Sequence, residues 1–138
     1  MDKRCGTNST AHATDWAGNW RTLAGFWGIP AAVMLAAALL EPVLRAAVWS
    51  AMLTWMGLAC ILNARRCART HCRFTGPFLL LMAALVIAYT AGVLPIGAHG
   101  WTFLGGTTIA GSAAIWWGSE RIWGVFSPRN RKTAPRRS

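Results

Sequence analysis

The sequence predicts an all-α integral membrane protein, a bundle of four transmembrane helices made of two hairpins, with N and C termini cytoplasmic. Three observations predict it. First, the chain of 138 residues is 54% hydrophobic and only 13% charged, whereas a soluble domain carries about a quarter charged residues. Second, the uncharged residues form long runs: nineteen from Thr22 to Leu40, nineteen from Ala46 to Ala64, and an unbroken stretch from Phe74 to Ser119. About 20 apolar residues cross the hydrocarbon, so the first two runs make one crossing each and the third makes two joined by a turn. Third, the basic residues divide unevenly. With both termini and the middle loop inside, thirteen of the fourteen Lys and Arg residues are cytoplasmic and only Arg45 is outside, which fixes the orientation by the positive-inside rule.

Each element follows in order. Residues 1–21 form a polar cytoplasmic tail, with Trp16 and Trp20 suited to the membrane interface. The transmembrane domain spans 22–126, with helices at about 22–40, 43–62, 77–95 and 101–119. Pro30 removes a backbone hydrogen bond inside helix 1 and is expected to kink it. Pro42 suits the first position of helix 2, with Glu41 at the positive end of its dipole. Helix formers in NARRCART allow helix 2 to run past the membrane, and FTGP is expected to stop it, leaving a loop at 63–76. Pro77 then opens helix 3, VLPIGAHGW makes the outer turn, and residues 127–138 are a basic disordered tail.

Small residues recur every fourth position at Ala24, Gly28, Ala32 and Ala36, at Ala84, Ala88 and Gly92, and at Gly106, Ala110, Ala114 and Gly118. Such stripes let helix backbones approach. Packing inside the bundle is the expected use, and homodimerisation through one stripe is the alternative.

Several function classes are excluded by what the spans lack. No ionisable residue lies near a midplane, which argues against ion-coupled transporters and pumps. The only acids are Asp2, Asp15, Glu41 and Glu120, and no nucleophile has a base beside it, so an enzyme is not expected. The net charge of +10 sits in tails and one loop, which serves topology and predicts no nucleic-acid partner. The first run is preceded by a polar leader and is long enough to span, unlike a signal peptide. Thr54, Cys60, Tyr89, Thr90, Thr107, Thr108 and Ser112 are expected to bond to backbone or to a neighbouring helix.

Chemistry concentrates in NARRCARTHCRFTGP, residues 63–77. Cys67 and Cys72 lie five apart within this stretch with His71 between them, and arginines favour the thiolate that binds soft metals. If helix 2 continued to His71, then Cys60, Cys67 and His71 would share a face, with Cys60 two turns deeper as a relay thiol. If the helix breaks near Thr70, Cys67 and Cys72 can converge, a pair suited to a cuprous or mercuric ion rather than to zinc with its four ligands. Cys5 could add a third thiol, while His12 and His99 read as plain tail and loop histidines. The rival use of the stretch is a grip on anionic lipid of the cytoplasmic leaflet, or on a partner in a membrane complex, through Arg65, Arg66, Arg69 and Arg73.

NARRCARTHCRFTGPFLL, followed by the GxxPxGxxGW pattern from Gly92 and WWxSERxWG from Trp116, resembles a group of small bacterial inner-membrane proteins over residues 58–126. The resemblance implies a four-helix membrane fold in that membrane and no established activity. A looser likeness is to the small mercuric-ion uptake proteins, which also combine membrane helices with cytoplasmic thiols. This chain departs from them in having no adjacent Cys-Cys pair in its first span.

Overall fold

The computed structural model describes residues 19–67 and 70–123, and every regular element among them is helical. The described residues form four helices: α1, residues 20–37; α2, Pro42–Cys67; α3, Thr70–Thr90; and α4, Gly100–Trp123. The tail residues 1–18, including Cys5 and His12, and the basic tail 127–138 lie outside the described residues, as does Arg69. Each helix packs its backbone on its chain neighbour, α1 on α2, α2 on α3 and α3 on α4, and the α2–α3 pair is the most extensive. Pro42–Arg66 and Thr70–Thr90 are each long and apolar enough to cross a membrane.

The proline in α1 has a specific outcome. After Trp20–Leu23, capped by the Asn19 side chain, the helix widens into a π turn over Ala24–Gly28 and returns to α geometry over Ile29–Ala37. The amide of Ile29 reaches back to Ala24, five residues rather than four. A π turn just before a proline relieves the clash between its ring and the carbonyl one turn earlier. It also lets two successive residues face α2: Phe26 stacks on Trp55, and the Trp27 indole donates to the sulfur of Cys60.

The middle of the chain differs from the expected loop at 63–76. α2 runs to Cys67, and α3 begins at Thr70, so FTGP lies inside a helix and Pro77 is internal rather than first. Gly76 explains this. It is buried against α2, where an added Cβ would stand 2.7 Å from Ile61 Cγ1 and 3.1 Å from the Gly57 carbonyl. The glycine is there for close helix contact rather than for a turn. Lacking a Cβ, it also tolerates helical geometry before a proline better than other residues do.

The small-residue stripes need a matching correction. Ala24, Gly28, Ala32 and Ala36 are all exposed, as are Gly106, Ala110 and Ala114. A Cβ on Gly106 or Gly118 would meet nothing within 4 Å. The glycines that pack inside are others. Gly57 and Gly76 set the α2–α3 crossing, Gly100 lies under the Tyr89 ring, and Gly111 lies under Phe78. Spacing by four locates a stripe on a helix but does not say which way that helix is turned, and the larger side chains decide that here.

At the end remote from the α2–α3 turn, aromatic groups hold the helices in register. Trp101 of α4 takes the edges of Trp49 and Tyr89, each with centroids 5.6 Å away, and the Arg45 guanidinium lies 4.9 Å over its ring. Trp49 donates to the Met34 carbonyl, Arg45 to that of Leu40, and Tyr89 to that of Gly97. α3 stops at Gly92, whose φ of 76° reverses the chain while Val93 bonds back to Ala88, as in a Schellman ending. Thr90 and Thr108 bond to carbonyls one turn back in their own helices.

Candidate functional site

The burial pattern points to one place. Leu39, Val43 and Ile109 are exposed, whereas Asn63, Thr70, His71, Thr75 and Ser119 are buried near the α2–α3 turn, with Thr108 buried apart from them in α4. Large apolar side chains on the outside, together with polar groups buried beside an apolar core, depart from the pattern of a soluble domain.

The site is built from the glycine crossing. Cys60 lies one turn beyond Gly57 along α2, and Cys72 lies one turn before Gly76 along α3. Antiparallel helices that touch at Gly57 and Gly76 bring those two turns face to face. The thiols are interacting neighbours, 1% and 0% exposed, and not joined as a disulfide. Had helix 2 continued to His71, Cys60 would have lain two turns deeper than the other ligands, as a relay thiol. That distance was measured along one continuous helix to His71, and the chain instead folds back after Cys67.

Hydrogen-bond groups converge on the sulfurs. Trp27 Nε1 donates to Cys60 Sγ at 3.3 Å, and Asn63 Nδ2 donates to Cys72 Sγ at 3.6 Å. His71 Nε2 lies 3.3 Å from Cys72 Sγ, while its Nδ1 is 2.7 Å from Glu120 Oε1. An ionised carboxylate only accepts, so with Glu120 ionised the Nδ1 proton points at it and Nε2 is left to the sulfur. Trp116 stacks on the imidazole at 4.8 Å and 20°, which fixes the ring plane. One side chain thus links α3 to α4 and addresses a thiol at the same time.

The expectation that no nucleophile has a base beside it is therefore overturned at Cys72. Two of the four predicted ligands, Cys60 and Cys72, come together, and His71 joins them through its contact with Cys72. Cys67 is the last residue of α2, and its side chain lies outside the described residues. Arg65, Arg66 and Arg73 are exposed around the turn. Trp27, Asn63, Trp116 and Glu120 were not predicted as site residues. The usable signal was Glu120, the only acid after Glu41, paired with a histidine at the same end of the helices.

Among the described residues no group of three or more His, Cys, Asp or Glu side chains is arranged to hold a metal ion. What remains is a pair of sulfurs, which suits a linear soft ion and not tetrahedral zinc. Compared with protein-family models, curated proteins and solved structures, the chain matched none.

Proposed function

We propose that this is a multi-pass protein of a bacterial inner membrane, both ends cytoplasmic, that binds a soft metal ion of the cuprous or mercuric type between Cys60 and Cys72. The carrying observation is the pair of free, neighbouring thiols presented by adjacent helices. The two apolar helices and the apolar exterior support the membrane placement, and the basic turn and tails support the orientation. His71 serves as a positioning residue, held by Glu120 and Trp116 against the Cys72 sulfur. The ion is cargo or ligand here, and no catalytic role is assigned.

Equilibrium binding of mercuric, cuprous and zinc ions to the reduced protein in detergent tests this reading. Tight, stoichiometric binding of the first two ions is expected, lost in Cys60→Ser and in Cys72→Ser and retained in Cys67→Ser. Binding that needs Cys67 and not Cys60 would return the site to the turn, and binding indifferent to all three would end the metal reading.

A second reading has its own observations. Outward small-residue stripes on α1 and α4, with exposed Arg65, Arg66 and Arg73, suit a non-catalytic accessory subunit that meets a second copy or a membrane partner and grips anionic lipid. Replacing these arginines and Arg69 by glutamine should then weaken co-purification of lipid or partner while leaving soft-ion binding unchanged.

A further inference from the structure

We propose that Cys60 and Cys72 are a reversible dithiol–disulfide couple that exchanges with small aliphatic disulfides, with Cys72 as the attacking sulfur and Cys60 as the resolving one. This goes beyond ion binding and does not depend on it. The two sulfurs are unequal in their surroundings. Cys72 has two nitrogen groups directed at it, Asn63 Nδ2 and His71 Nε2, whereas Cys60 has Trp27 Nε1 alone. Asn63 donates to the Cys72 sulfur, and the lone pair of His71 Nε2 is placed to take its proton; the imidazolium so formed stabilises the thiolate, which is the form that attacks a disulfide. Both thiols come from helices held close by the Gly57–Gly76 crossing, and a disulfide forms without backbone movement only where backbones are already near. Their burial excludes a folded protein as the direct reactant and leaves a small disulfide.

The reaction balances as two exchanges. The Cys72 sulfur attacks one sulfur of R–S–S–R, breaking that bond, forming Cys72–S–S–R and releasing one R–S–H with the Cys72 proton. Cys60 then attacks the Cys72 sulfur, forming the Cys60–Cys72 bond and releasing the second R–S–H with the Cys60 proton. Two electrons pass from the protein dithiol to the small disulfide. On the cytoplasmic side a disulfide of this kind is transient, as in redox sensing or catalysis. Its formation would occupy both sulfurs and tie α2 to α3.

Oxidised glutathione is the probe, applied to the full chain in detergent with a chelator present, and intact mass and non-reducing peptide mapping are the readouts. A Cys60–Cys72 disulfide that dithiothreitol reverses is expected. In Cys60→Ser the reaction should stop with one glutathione on Cys72. In Cys72→Ser, capture on Cys60 should be about tenfold slower or more, the equivalent of one good hydrogen bond to the sulfur. A Cys67–Cys72 disulfide forming in preference, no disulfide in helical wild-type protein, or equal capture on Cys60 and Cys72 would overturn the proposal. The double variant Cys5→Ser/Cys67→Ser carries the same test with only the two thiols present. Because metal is excluded, failure here and failure of the ion-binding measurement are read separately.

Discussion

Replacing Gly76 by alanine adds one methyl group at the α2–α3 crossing, and the structure sets the size of the penalty. The new Cβ would stand 2.7 Å from Ile61 Cγ1, 3.1 Å from the Gly57 carbonyl oxygen and 3.3 Å from the Ile61 amide nitrogen. Ile61 is β-branched and stiff, and the other two atoms are backbone, so α2 and α3 must part. Overpacking of this kind costs about 1–3 kcal/mol. Gly→Ala also gains up to about 1 kcal/mol of helix propensity, which would mask part of the loss. Gly106→Ala removes that ambiguity, because its Cβ would meet nothing within 4 Å. The difference between the two variants should be about 1–3 kcal/mol, roughly 5- to 150-fold in the unfolding equilibrium. Gly57→Ala should fall between them, since one of its close contacts is the movable Leu80 side chain at 3.0 Å. Unfolding in mixed detergent followed by circular dichroism gives the stabilities, and the yield of the Cys60–Cys72 disulfide reports the crossing directly. Equal stability and equal disulfide yield for Gly76→Ala and Gly106→Ala would refute the crossing and with it the juxtaposition of the thiols.

Three further outcomes follow from contacts already described. Glu120→Gln removes the charged partner of the buried His71 and should cost about 1.5–3 kcal/mol, and a double-mutant cycle with His71→Gln should give a coupling above 0.5 kcal/mol; additive losses would mean the two groups do not interact. Arg45→Gln loses the cation–π contact with Trp101 and should cost about 0.5–2 kcal/mol in thermal unfolding without altering soft-ion affinity. Thr75 has a buried hydroxyl without a hydrogen-bond partner, so Thr75→Val should be neutral or stabilising. A loss above 1 kcal/mol in the same unfolding assay would assign that hydroxyl a role.

Much of the helix layout is readable from charge and proline placement, because long uncharged runs and their basic borders are one-dimensional features. α2 begins at Pro42, and the regular elements among the described residues are all helical, for that reason. The site is less readable. Cys60 and Cys72 meet only because Gly57 and Gly76 set a particular helix register, and nothing local to either cysteine encodes that. Gly76 before Pro77 has the local signature of a breaker, yet its use is tertiary. The stripes on α1 and α4 misled for a related reason: periodicity gives a face but not its direction. Glu120 reaches His71 across 49 positions of chain, a pairing that sequence patterns do not show.

The π turn over Ala24–Gly28 also holds one residue more than ordinary α winding would. An α-helix advances about 100° per residue, and the extra residue accommodated there is what allows Phe26 and Trp27 to face α2 together. Deleting one residue within the turn would restore ordinary winding with the two ends of the helix still in phase, because the wider turn holds its extra residue without rotating what lies beyond it. The cap at Asn19 and the packing of Met34 and Ala37 could both survive, while the indole over Cys60 would be carried away. Length in this segment is therefore a functional variable in its own right, and a chain altered there by one residue would keep its helices and lose the donor to one of its two thiols.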